Sequence, residues 1–255
     1  MFYLTNQDIP YTVNQPYAGK RYSDYVRGDL NQDTHTFTFD ELVGVVAQYG
    51  LTNFAPGSCS STPTQAKIIE QSSGMSYNDY ITKTFLEPLH LSHTYSVWEG
   101  TDTRIKDPFV DSFLYVPGRK AINTSEDNMS INVSEGNIVS TPADISKWME
   151  LLLTGQTGVS AANVALMKEM QVADVGYGVY GLGLTYNEGL GFGHNGAHLS
   201  YLSTLRYNPA TRTGVLMVAT FFKTGRTSEE SNADRMHLAI SLQETALRAV
   251  QIANR

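Results

Sequence analysis

The 255-residue sequence predicts an α+β fold, an antiparallel β-sheet flanked by helices and joined to a helical region. Three observations predict it. Capped helical patterns dominate the first two thirds of the chain. Alternating, strand-like segments follow from about residue 176. One long amphipathic helix closes the sequence.

The elements follow in order. Residues 1–39 are rich in Tyr, Asn, Asp and Gln and read as extended or loop structure. "TFDELVGVVAQYG" places Phe39, Leu42, Val45 and Val46 at helical spacing, with Gly50 at its end. After the loop "LTNFAPGSCSS", "TPTQAKIIEQSSG" starts a helix with Thr62 as N-cap, Pro63 at the first turn and Gln65 closing the box. "MSYNDYITKTFLEPLHL" repeats the pattern, with Ser76 as cap, Asp79 in the box and Pro88 as terminator. Residues 95–136 are polar and read as a long irregular loop, of the kind that forms a wall or lid. Thr141, Pro142 and Asp144 start the next helix, whose apolar face is Ile145, Trp148, Met149 and Leu152. Ser160 caps a shorter one. "GYGVYGLGLT" (176–185) reads as a strand. Residues 191–222 read as two strands turned at "NPATRTG", and an amphipathic helix runs from about Ser228 to Ala253. The chain is taken as a single domain over residues 1–255.

Composition sets the bounds. The chain is 41% hydrophobic and 17% charged, as in an ordinary globular protein. A formal net charge of −7 without a Lys/Arg cluster argues against nucleic acid as a partner. No apolar run reaches the roughly 18 residues of a membrane span. The opening "MFYLTNQDIPYTVNQPY" does not read as a signal peptide, and the compartment is not legible. Cys59 is the only cysteine, so neither an intrachain disulfide nor a cysteine-based metal site is expected. His90 and His93 follow Pro88 without a completing carboxylate and read as surface histidines. No metal and no cofactor is expected.

Five blocks occur in order: "FAPGS", "AKIIEQSSGMSYNDYITKTFLEPLHLSHT", "GNIVSTPADISKWMELLLTG", "YGLGL" and "GHNGAHLSYLSTLRYNP". Together they resemble the serine β-lactamase-like superfamily, on the side of class C β-lactamases, D-alanyl-D-alanine carboxypeptidases and related esterases. The resemblance covers roughly residues 54–250. It implies a β-lactamase/transpeptidase-like fold and acyl transfer on an amide or ester through a serine acyl-enzyme. The family's machinery is a Ser-x-x-Lys element, a Tyr-x-Asn element, and a Lys-Thr-Gly or His-x-Gly element on a sheet strand.

By this resemblance His194-Asn195-Gly196 is the third element. His194 then holds or polarises a substrate carboxylate or the proton-relay tyrosine, and Gly196 admits a close substrate backbone. Asn195 offers a polar side chain at the cleft edge, and the Ala197 amide is one oxyanion donor. The family is often periplasmic or secreted.

The first two elements are absent. No Ser-x-x-Lys occurs anywhere in the 255 residues, and "PGSCSSTPTQAKIIEQ" runs into its helix without Tyr or Asn. The resemblance therefore implies a domain whose N-terminal part is missing, with the serine upstream. Thr64-x-x-Lys67 has the spacing of a substitute nucleophile and base, beside Ser58, Ser60 and Ser61. It would need a buried, neutral Lys67. The helix start accounts for Thr64, and pairing with Glu70 accounts for Lys67, without any chemistry.

Three readings compete. The first is a serine hydrolase family member, inactive as this chain alone, whose partner is a small or peptide-like acyl substrate. The second is a non-catalytic binding module on the same scaffold. The third is a self-assembling unit, in which a second copy or a complementary N-terminal segment covers an exposed sheet edge.

Overall fold

A computed structural model of the chain describes residues 22–32, 34–38, 40–41, 44, 62–97, 105–125, 130, 136–172, 178–198, 200–226 and 228–253. They belong to two compact units.

The first unit takes its described residues from Met1–Thr84, Tyr95–Ile105 and Asp127–Val139. A helical turn Tyr22–Asp24 runs into a π-helical turn Tyr25–Asp29. Val26 and Phe37 form a small core there with Tyr22 and Tyr25. The predicted helix over residues 38–50 lies mostly outside the described residues, though Asp40, Glu41 and Gly44 are helical. Helix α1 (Thr62–Ser73) stops before Gly74, whose amide donates to the Glu70 carbonyl at 2.9 Å. Helix α2 (Tyr77–Ile81) is capped by Ser76, whose hydroxyl accepts from the Asp79 amide at 3.1 Å. Ala66 of α1 and Tyr77 of α2 are buried together with Ile69 and Ile81. Strands β1 (Tyr95–Ser96) and β4 (Ile138–Val139) pair antiparallel, and buried Asn137 donates to Ser96 Oγ at 2.8 Å.

The second unit contains Phe85–Thr94, Lys106–Glu126 and Ser140–Arg255. Its centre is a six-stranded antiparallel sheet in the order β10-β9-β8-β7-β6-β5. The strands are β5 (Gln171–Val172), β6 (Val179–Tyr180), β7 (Thr185–Asn187), β8 (Gly191–His198), β9 (Tyr201–Asn208) and β10 (Thr213–Ala219). One face is covered by helix α3 (Pro142–Leu153) and helix α4 (Ala161–Met167). Ile145, Met149, Leu153 and Met167 pack there on Leu205, Tyr207, Phe192 and Leu216. The other face is covered by helix α5 (Ser228–Ala253), which packs Leu242, Ala246 and Val250 on Leu202, Val215 and Met217. The strands thus alternate between two apolar layers, and each fully buried Leu contributes about 1.5–3 kcal/mol. The caps of α3 and α4 are as predicted, Thr141 Oγ1 accepting from the Asp144 amide at 3.3 Å and Ser160 Oγ from the Asn163 amide at 3.2 Å.

Three local expectations change. The loop expected over residues 95–136 carries short strands: β1, β2 (Phe113–Tyr115) and β3 (Ile122–Asn123). Strand β2 pairs antiparallel with β3 and parallel with β11 (Phe221–Lys223). The described part of the stretch 176–185, residues 178–185, is a tight hairpin and not one strand. Gly183, at φ 70°, supplies the left-handed turn, and the Gly181 amide donates to the Leu184 carbonyl at 2.7 Å. Residues 191–222 hold the three-strand meander β8-β9-β10 and β11. The chain reverses between His198 of β8 and Tyr201 of β9, where the sequence has no Gly, Pro or Asn.

Candidate functional site

The sequence GFGHNGAH forms β8, and its glycines explain how it sits. A Cβ at Gly193 would lie 1.9 Å from the Leu205 carbonyl oxygen, so only glycine permits this approach to β9. Strand β8 pairs with β9 from Phe192 to His198, but β7 follows β8 only as far as Gly193. Beyond that point no described strand meets the outer edge of β8, and alternate residues turn their N–H and C=O groups outward. Gly196 and Ala197 are exposed there.

His194 lies on the face covered by α3, opposite Leu205 in register. Its Nδ1 is 2.5 Å from the Asn195 carbonyl oxygen, which can only accept, so Nδ1 carries the proton. The neutral ring then offers a lone pair at Nε2, and the Tyr180 hydroxyl donates to it at 2.7 Å. The Tyr180 ring meets the imidazole edge-on, with centroids 5.5 Å apart and planes at 88°. Burial pushes the His194 pKa down. The bond to the Asn195 carbonyl opposes this, and the charge of Arg206 adds to the lowering. The ring is therefore neutral at neutral pH.

Asn195 projects to the opposite face. Its Oδ1 accepts from Arg206 Nη2 at 2.9 Å and from Gln243 Nε2 of α5 at 3.3 Å. Gln243 in turn accepts from Asn187 Nδ2 of β7 at 3.5 Å. The side chain that the sequence assigned to substrate at a cleft edge is thus engaged inside the unit. Arg206 is 2% exposed. Its Nη1 donates to the Leu205 carbonyl at 2.8 Å, its Nε has no partner, and burial lowers its pKa to about 10.

Thr64 and Lys67 belong to the first unit. Thr64 lies in the first turn of α1. Lys67 has a side chain 45% exposed, with Nζ 3.4 Å from Glu70 Oε2. That position offers solvent and a carboxylate, not the apolar burial a neutral lysine needs. Cys59 and the serines at 58, 60 and 61 lie outside the described residues. His90 and His93 are exposed, and no three His, Cys, Asp or Glu side chains cluster as metal ligands among the described residues. No helix among them is long and apolar enough to cross a membrane. Sequence reasoning missed Tyr180 and Arg206 as neighbours of the His-x-Gly strand.

A family model for Beta-lactamase matches residues 17–239. The chain belongs to the beta-lactamase family. Solved structures agree in fold. A D-stereospecific amidohydrolase from Streptomyces sp. is 21% identical with a TM-score of 0.69, over 86% of this chain and 66% of that one. D-amino acid amidase from Ochrobactrum anthropi SV3, complexed with L-phenylalanine amide, is 19% identical with a TM-score of 0.65, over 83% and 65%. The octameric penicillin-binding protein homologue from Pyrococcus abyssi is 20% identical with a TM-score of 0.61, over 95% of this chain and 55% of that one. This beta-lactamase-family chain thus spans about two thirds or less of the length of these structures. Its α+β architecture, with helices on both faces of an antiparallel sheet, is that of the family.

Proposed function

We propose that this chain forms the sheet-side wall of a beta-lactamase-family acyl-transfer site. It receives small acyl compounds with an amide or ester carbonyl, and D-amino acid amides are the class to try first. The observation that carries the reading is the outer edge of β8. From His194 onward this edge lacks a described strand partner, and it begins beside a neutral imidazole already bonded to a tyrosine. An extended ligand can add there by main-chain hydrogen bonds. The D-amino acid substrate class is supported by the fold shared with a D-stereospecific amidohydrolase and a D-amino acid amidase.

These 255 residues alone form no acyl-enzyme in this reading, because they contain no Ser-x-x-Lys and Lys67 is exposed and paired with Glu70. D-phenylalanine amide titrated into the labelled protein should shift the Gly196 and Ala197 amide signals saturably. A fluorescent penicillin or p-nitrophenyl ester should leave no adduct detectable by mass spectrometry. An adduct on Thr64, or on Ser58, Ser60 or Ser61, would restore catalysis by the chain itself. Absence of any ligand shift would remove the acyl-site reading.

The alternative, a self-assembling module, draws on β10. It ends the sheet with no described partner on its outer side, and its Val218 is 49% exposed. Sedimentation velocity separates the readings, since a concentration-independent monomer excludes self-assembly.

A further inference from the structure

Tyr180 stands fourteen residues before His194, on a strand that does not touch β8. Strand β7 lies between them but ends its pairing at Gly193, and Tyr180 is in register with Thr185, which is itself opposite Gly193. The tyrosine therefore reaches past the end of β7 to the first residue of the open edge. It meets the one ring nitrogen of His194 that is free to accept.

We infer that Tyr180 and His194 act as a single acid–base unit, in which the Tyr180 hydroxyl is the positioning group and proton relay for a neutral, Nδ1-protonated imidazole. The inference rests on the acyl-site reading for its use but not for its test. When a hydroxyl or water attacking an acyl carbonyl gives up its proton, Tyr180 Oη takes it and passes its own proton to His194 Nε2. The tyrosine ends unchanged. The imidazolium so formed is held by Tyr180 on one side and by the Asn195 carbonyl on the other, and no further reactant is needed. This supplies within the chain a relay that the absent Tyr-x-Asn element would otherwise provide.

The surroundings of the ring suit this. From β6 comes Tyr180, from its own strand the Asn195 carbonyl, and from β9 the charge of Arg206. Helix α3 offers that face Ile145, Met149 and Leu153, while its Glu150 is taken by Tyr207 Oη at 3.3 Å. Lys168, a cation near this face, lies over the Phe192 ring at 5.4 Å. A neutral ring in an apolar layer, with one partner able to donate or accept, can gain a proton and return it.

Nitrogen-15 NMR of the histidines tests this without ligand or turnover. In the wild-type chain His194 should be neutral at pH 7, with its proton on Nδ1 and a titration midpoint below 6.5. Tyr180→Phe should lower that midpoint further, by about half to one pH unit, because the charged ring loses the stronger, charge-assisted bond. Tyr186→Phe, at an exposed position on β7, should leave it unchanged. D-phenylalanine amide should bind Tyr180→Phe more weakly than wild type. A proton on Nε2 in the wild type, or an unmoved midpoint in Tyr180→Phe, overturns the inference, whatever the ligand does. If the midpoint moves but no ligand binds the wild type, the pair stands and the acyl-site reading fails. A purely structural tyrosine would lower the melting temperature and leave the His194 midpoint in place.

Discussion

Replacing Arg206 with methionine should not destabilise the protein, although Arg206 is among its most buried side chains. Burial lowers the Arg206 pKa well below the ordinary guanidinium value, to about 10. At about 1.4 kcal/mol per unit, this is about 3 kcal/mol against the charged form in the folded state. The unfolded chain binds the proton more tightly, so the penalty is complete and constant below pH 10. It fades only as pH rises above about 10 toward the ordinary guanidinium value. Against it stand two hydrogen bonds, to the Leu205 carbonyl and Asn195 Oδ1, while Nε is unbonded. Methionine has a similar length and no charge, and Asn195 keeps Gln243 as a donor. Urea unfolding at pH 7, followed by tryptophan fluorescence, should therefore find Arg206→Met unchanged to about 2 kcal/mol more stable. Asn195→Ala alone strands Nη2 and should cost about 2–3 kcal/mol. In the Arg206→Met background the same change should cost under about 1 kcal/mol, a coupling that a double-mutant cycle reads directly. If Arg206→Met instead loses about 3 kcal/mol or more, the guanidinium is compensated by an anion and the reasoning is wrong.

Gly193→Ala drives a methyl into the Leu205 backbone and should cost about 3 kcal/mol. Gly196→Ala meets only the Ser203 hydroxyl, at 2.5 Å, and should cost about 1 kcal/mol, with chemical denaturation ranking the two. His194 has a lowered pKa, so the unfolded state takes up its proton first. Stability should fall as pH drops from 6.5 through the lowered value, and His194→Gln should flatten that part of a melting-temperature profile. Buried Asp144 accepts from the His93 amide at 2.8 Å and from Thr94 Oγ1 at 3.0 Å. Asp144→Ala should cost about 3 kcal/mol in urea unfolding, and Thr141→Ala, which removes only a cap, about 1 kcal/mol.

Local signals in the sequence hold where the physics is local. Ser76, Thr141 and Ser160 cap the helices they were expected to cap, because a hydroxyl three residues before an amide needs no tertiary help. The long last helix is legible from the spacing of Leu238, Leu242 and Val250. Strand boundaries were less legible. No Gly, Pro or Asn separates β8 from β9, so the sequence pattern of the two strands runs on as one. The glycines of 176–185 look like small strand residues in the sequence, although Gly183 closes a hairpin. At the site, His194-Asn195-Gly196 was visible as a motif, but its partners were not. Tyr180 reaches His194 only because β7 stops short. Arg206 is buried where a charged strand residue is expected to face water. Both depend on pairing register, which no local pattern states.

The close contact at Gly193 has a consequence for error in assembly. Because a strand alternates with period two, a slip of one residue between β8 and β9 would exchange the two layers, placing His194 under α5 and Asn195 against α3. The slip would also bring a residue with a Cβ to the place where a Cβ has only 1.9 Å to the Leu205 oxygen, and Gly193 leaves no neighbouring glycine in either direction to replace it. A missing methyl group thus acts as a keyway. Against a one-residue slip in either direction it admits one alignment, and with it one assignment of which layer receives the imidazole.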